Sequence, residues 1–134
     1  YAIEKNPEAV ELLYENRKKF ALTNLEIIAG TAPEALEDLP SPTHVFIGGS
    51  SGKMEEVIAL CLKKNPETRF VVNLITPESL AAVLEAVKTL PVTEPDLLTL
   101  TAARSKKVGS SHLMMGQNPV WIVTFEGKIC VSRM

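Results

Sequence analysis

The sequence is poor in cysteine, histidine and tryptophan, with two, two and one among 134 residues. Cys61 and Cys130 are far apart and form no CxxC pair, so neither a disulfide framework nor a zinc site is indicated. A reduced, cytoplasmic setting is the default for such a chain. No apolar run approaches the roughly 20 residues of a membrane span, and no signal-peptide pattern is visible. The net charge is only −2, which gives no global attraction for nucleic acid or an anionic membrane. No Ser–His–Asp or Cys–His arrangement is suggested, and no carboxylate pair stands out as an acid/base couple. No catalytic side chain and no metal ligand is therefore assigned.

What is present is ordinary globular material: 46% hydrophobic and 22% charged residues, enough for one domain with a real core. Residues 1–134 are read as a single domain, and Tyr1-Ala2-Ile3 is strand-like from its first residue. A strand and helix alternate throughout. Tyr1 to Glu4 is the end of a strand. Asn6 then caps a helix with Pro7 in its first turn, and Ala9, Leu12, Leu13, Asn16 and Phe20 recur at helical spacing. Residues 25–29 form a second strand, and residues 32–39 a short helix. Val45-Phe46-Ile47 is a third strand that ends in Gly48-Gly49-Ser50-Ser51-Gly52. A helix over residues 54–64 shows Met54, Val57, Ile58 and Cys61 on one face, and Asn65-Pro66 stops it. Residues 70–75 are a fourth strand. Thr76-Pro77-Glu78 opens a helix striped by Leu80, Val83, Leu84 and Val87. Residues 97–103 and 120–125 are the last two strands, an antiparallel pair at one edge. Residues 104–118, rich in Ser, Gly, Lys and Met, are a long loop of the kind that often serves as a lid. The predicted fold is α/β, with a mostly parallel sheet covered by helices on both faces.

Ligands of open α/β sheets sit at the carboxyl ends of the strands. Glu4 stands at the first such end, where a carboxylate can accept from both ribose hydroxyls. It is equally a surface residue favoured by a helix N-terminus. Gly30-Thr31-Ala32-Pro33 allows close approach of a flat ring, or is an ordinary turn. The bend at residues 48–52 opens backbone to a ligand ahead of a helix N-terminus. It lacks the GK[ST] ending of a P-loop and is not GxGxxG. Asn73 sits within an apolar strand and faces either a ligand crevice or loop backbone. Arg104, Lys106, Lys107 and His112, with Met114 and Met115, make a local basic cluster suited to a carboxylate-bearing ligand or to a solvated loop. His44 and Trp121 are read as structural.

Tyr1-Ala2-Ile3-Glu4-Lys5-Asn6-Pro7-Glu8-Ala9 resembles the second strand and following helix of class I S-adenosylmethionine-dependent methyltransferases. Gly30-Thr31-Ala32-Pro33-Glu34-Ala35-Leu36, Val45-Phe46-Ile47-Gly48-Gly49-Ser50-Ser51-Gly52, Val71-Val72-Asn73 and Asn118-Pro119-Val120 are similar to one subfamily. These are the decarboxylating, carbon-15 precorrin-6Y methyltransferases of cobalamin biosynthesis. The resemblance covers nearly the whole chain and implies a Rossmann-like sheet of order 3-2-1-4-5-7-6 with strand seven antiparallel. The first strand and its glycine-rich motif are not in this sequence, and they are expected upstream of Tyr1.

The resemblance also implies S-adenosylmethionine as cofactor. Glu4 and Lys5 would meet its ribose, and Gly30, Thr31 and Ala32 its adenine, although the family usually has an acidic residue at the Thr31 position. Gly48 and Gly49 would lie beside the methyl donor. Ser50, Gly52, Asn73, Arg104, Lys106, Lys107 and His112 would meet a precorrin substrate, the basic residues taking its acetates and propionates. A fused or separate partner methylase and a homo-oligomer are further expectations. Two other readings stay open: a class I methyltransferase for another small molecule, and a non-catalytic nucleotide-binding fragment.

Overall fold

The computed structural model describes residues 1–49 and 52–129. They divide into two compact units, Tyr1–Pro40 and Ser41–Met134. In the first, β1 (Ala2–Glu4) leads into α1 (Pro7–Lys19), and the chain returns as β2 (Ile27–Ala29) before a 3-10 turn at Glu34–Leu36. Asn6 caps α1, its Oδ1 accepting the Glu8 N–H at 2.9 Å, and Pro7 takes the first turn, where its missing N–H has no consequence. Arg17, Lys18 and Lys19 complement the negative C-terminal end. β1 and β2 pair in parallel, with Glu4 opposite Ala29.

No residue of this first unit is fully buried. The predicted helical stripe forms, yet Leu12 stays 58% and Phe20 63% exposed. Two short strands and one helix offer too little apolar surface to enclose a core.

The second unit holds β3 (His44–Ile47), α2 (Met54–Lys64), β4 (Arg69–Leu74), α3 (Pro77–Thr89), β5 (Asp96–Leu100), β6 (Ala103–Val108), β7 (Ser111–Gly116) and β8 (Val120–Glu126). Its main sheet has the order β3-β4-β8-β5. β3 and β4 are parallel, and β8 runs antiparallel to both of its neighbours. With β1 beside β2 in the first unit, the neighbours are those expected of strands 3-2 and 4-5-7-6.

Alternation along β4 sends Phe70, Val72 and Leu74 to one face, where they are buried with Val123 and Phe125 of β8. The rings of Phe70 and Phe125 stack with centroids 5.1 Å apart. Met54, Val57, Ile58, Cys61 and Leu62 of α2 and Val83 and Ala86 of α3 complete this core. α2 and α3 lie side by side, and the Thr89 hydroxyl donates to the Glu55 carboxylate at 3.2 Å. Thr76 caps α3 by accepting the Ser79 N–H. The other face of the sheet carries Phe46, Val71, Asn73, Ile122 and Leu98, half-buried or exposed.

The turn after α2 is tied down by polar groups. Asn65 donates from Nδ2 to the Pro42 carbonyl at 2.8 Å, and the fully buried Thr68 hydroxyl lies 2.7 Å from the Asn65 carbonyl. Gly127 packs here too. Its N–H donates to the Thr68 carbonyl at 2.9 Å, and a Cβ on it would collide with the Pro66 carbonyl oxygen.

One expectation is overturned. Residues 104–118 are no loop. Most of them form the β6–β7 hairpin, in register from Ala103 opposite Gly116 to Val108 opposite Ser111. The expected strand over residues 97–103 breaks at Thr101-Ala102 accordingly. The cause is a two-residue Gly109-Ser110 connection with Gly109 at φ 61°, the positive value that a tight hairpin turn needs at its first central position. Gly-Ser between two alternating runs is a hairpin signal, obscured here by the polar composition around it.

The core arrangement predicts that Phe125→Ala, which removes half of the stacked pair, costs about 3–5 kcal/mol by urea denaturation. Gly127→Ala is expected to lower stability as well, by about 1–3 kcal/mol, because the blocking atom is backbone and cannot swing away.

Candidate active site

Because β4 and β5 are both antiparallel to β8, the carboxyl ends of β3, β4 and β5 share one edge of the sheet with the start of β8. That edge gathers Gly48 and Gly49 after β3, Asn73 one residue short of the end of β4, and both roots of the β6–β7 hairpin. This is the ligand edge of an open α/β sheet.

The glycines at this edge differ. A Cβ at Gly48 would stand 2.9 Å from Cε1 of Phe46, whose ring is 65% exposed and free to turn. At Gly49, among the described residues, nothing lies within 4 Å of where a Cβ would be. Packing among the described residues therefore does not demand the bare backbone there. Gly52 sits at φ 78°, so backbone conformation accounts for it. Ser50 lies outside the described residues.

Asn73 is half-buried on the face away from α2 and α3, opposite Ile122. No hydrogen bond to its side chain is formed among the described residues.

The hairpin sorts the basic residues. Directly opposed residues of an antiparallel pair share a face, and neighbours along a strand alternate. Arg104, Lys106 and Val108 thus share one face with Met115, Leu113 and Ser111, while Ser105 and Lys107 share the other with Met114 and His112. Every hairpin residue is exposed. No hydrogen bond or ion pair engages the Arg104, Lys106, Lys107 or His112 side chains among the described residues. What the sequence joins in one basic cluster is therefore two faces. Leu113 and Val108 escaped notice because the segment was read without strand alternation.

In the first unit, β1 and β2 bring their own set together. The Gly30 N–H donates to the Glu4 carbonyl at 3.0 Å, which places Gly30, Thr31 and Ala32 beside Glu4. Glu4 Oε1 accepts the Asn6 N–H at 2.8 Å. Part of the carboxylate thus serves the start of α1, and Oε2 has no partner among the described residues. Lys5 and Thr31 are exposed and Ala32 half-buried. Gly30 packs tightly, since a Cβ there would meet that of Ala35 at 3.1 Å. His44 lies at the opposite end of β3, with Nδ1 3.2 Å from the Thr43 hydroxyl, and Trp121 is half-buried in β8.

Cys61 is buried in the α2 core, and burial pushes its thiol above its ordinary value despite the opposing pull of Lys64. This is the reverse of an activated nucleophile. Among the described residues no three His, Cys, Asp or Glu side chains gather as a metal site requires, and no helix is long and apolar enough to cross a membrane.

A Rossmann-like sheet with an antiparallel β8 beside its last parallel strand defines a class I methyltransferase fold. The model of the precorrin methyltransferase domain matches residues 1–126, and the chain belongs to that family. It is 33% identical over 130 residues to a Sulfolobus acidocaldarius protein named probable cobalt-precorrin-6B C(15)-methyltransferase (decarboxylating), covering 96% of this chain and 67% of the relative. The crystal structure of precorrin-6Y C5,15-methyltransferase from Geobacter metallireducens superposes with a TM-score of 0.82 at 32% identity, over 93% of this chain and 66% of that one. A Methanobacterium thermoautotrophicum structure described as precorrin 8w decarboxylase gives 0.83 at 29%, over 96% and 69%. The chain spans about two thirds of the length of these relatives.

The buried thiol supplies a test. In a Cys130→Ser background, iodoacetamide is expected to alkylate Cys61 only as fast as the protein unfolds, with the rate rising through the urea transition. Its raised pKa also ties stability to pH. The folded state keeps the proton longer than the unfolded one, so this contribution is complete below the ordinary thiol value and is lost as pH climbs through the raised one.

Proposed function

We propose that this chain is part of a decarboxylating precorrin methyltransferase of cobalamin biosynthesis that takes its methyl group from S-adenosylmethionine. The observation that carries the reading is Glu4, half-buried at the carboxyl end of β1, with Oε1 committed to Asn6 and Oε2 uncommitted among the described residues. That is what a ribose hydroxyl needs: an oriented carboxylate with acceptor capacity to spare. Lys5 flanks the sugar, and Gly30, Thr31 and Ala32 border the adenine. Gly48 and Gly49 leave room beside the methyl donor, and the clearance at Gly49 suits close approach by a ligand. Both units belong to one methyltransferase domain, and the family model runs through both.

When bound, S-adenosylmethionine supplies a sulfonium methyl group open to in-line attack. A reduced tetrapyrrole carbon of enamine character needs no strong protein base to attack it, and the macrocycle itself can accept the electrons released as an acetate arm loses carbon dioxide. What remains for the protein is positioning and exclusion of water. Ser50, Gly52 and Asn73 meet the reacting ring in this reading. The basic side chains of the β6–β7 hairpin, Arg104 and Lys106 on one face and Lys107 and His112 on the other, supply positive charge for its acetates and propionates. A cytoplasmic, homo-oligomeric enzyme, alone or with a partner methylase, completes the proposal.

Calorimetric titration with S-adenosylhomocysteine tests the cofactor half. Glu4→Gln keeps an acceptor for Asn6 yet removes the charge, so binding is expected to weaken about tenfold or more with an unchanged melting temperature. Gly49→Ala is expected to do the same. Full affinity in both variants, or NAD binding in place of S-adenosylhomocysteine, would overturn the assignment.

A further inference from the structure

The β6–β7 hairpin joins the sheet at its ligand edge, between Leu100 and Val120. It packs on no other element to the extent that its strands pack on each other. A two-stranded ribbon is marginal by itself in water, and this one carries large apolar side chains as well as cations on its surface. Its register gives it two unequal faces.

On one face Arg104 stands opposite Met115, Lys106 opposite Leu113, and Val108 opposite Ser111. Two permanent cations two residues apart, about 7 Å along the strand, are thus set beside three apolar side chains. Met115, Val108 and Leu113 are 46%, 50% and 52% exposed. On the other face Lys107 is the one permanent cation, opposite His112, and Met114 the one large apolar residue, opposite Ser105.

We infer that the Arg104–Lys106–Leu113–Met115 face is the specificity-determining surface for the substrate, reading paired carboxylate arms with its cations while its apolar side chains lie against the macrocycle. The inference rests on the precorrin reading of the same site and deepens it. The occupant is argued from complementarity. A tetrapyrrole bearing acetates and propionates presents an apolar plate rimmed by anions, and this face offers separated cations beside an apolar strip. The planar Arg104 guanidinium can take a carboxylate in two parallel hydrogen bonds, which Lys107 and His112 cannot do. Lys107 and His112 face away from the substrate and add only a diffuse positive field.

The test compares two double variants of the full chain, Arg104→Gln with Lys106→Gln and Lys107→Gln with His112→Gln. Each pair changes exposed side chains only, so circular dichroism and melting temperature should match the parent. Binding is followed by fluorescence titration with uroporphyrin, which bears acetate and propionate arms, and with its methyl ester. S-adenosylhomocysteine affinity is measured in parallel. The expected result is about tenfold or greater loss of uroporphyrin affinity in the first pair and less than about threefold in the second. The methyl ester should not distinguish the variants, and S-adenosylhomocysteine affinity should be unchanged. Equal losses in the two pairs, or a larger loss in the second, overturn the face assignment and leave the hairpin as a substrate element. No loss in either pair overturns the hairpin's substrate role as well, while retained S-adenosylhomocysteine binding keeps the cofactor reading separate. A changed sedimentation mass in the first pair with unaltered uroporphyrin affinity assigns the face to contact between copies and sinks the inference.

Discussion

The apolar seam between β4 and β8 is what the second unit depends on. Phe70, Val72 and Leu74 from one strand and Val123 and Phe125 from the other are buried together beneath α2 and α3. Because β8 is antiparallel, this seam holds its starting residue, Val120, at the carboxyl edge of β3 and β4. The seam thereby fixes where Gly48, Asn73 and the hairpin roots must meet. Polar groups hold the opposite edge, with Asn65, Thr68 and Gly127 satisfying the turn that feeds β4.

The chemistry proposed for this edge asks little of individual side chains. Displacement at a sulfonium methyl by an electron-rich ring carbon needs alignment more than proton transfer. Such a site is built from backbone clearance, one sugar-binding carboxylate and charges placed for anionic arms. Gly49 and Glu4 are the residues proposed for the first two. One has room around it that the chain's own packing does not use, and the other gives one oxygen to its helix and keeps the second available.

The first unit shows what a partial layer looks like. β1, α1 and β2 form from strong local signals: the Asn6-Pro7 start, the helical stripe and the basic last turn. Even so, none of its residues is fully buried. Local propensity is enough to shape these elements, whereas a closed core needs apolar surface on both sides of a sheet.

Much was legible in the residues themselves. Caps and prolines marked α1 and α3. The period of Met54, Val57, Ile58 and Cys61 identified the inner face of α2, and continuous apolar runs marked β3 and β4. Gly48 and Gly49 were legible as the residues that follow the third strand at its carboxyl end. These features are local, encoded in residues a few positions apart, and the sequence by itself determined them. Residues 104–118 were misread because polar composition hid a strand alternation that only cross-strand pairing reveals. Tertiary structure alone decided three things. Half of Glu4's carboxylate caps the approach to α1. Asn73 finds no loop partner among the described residues. The four basic side chains of the hairpin fall on two faces, because register depends on which residue lies opposite which across a turn, a relation that composition along one strand does not contain.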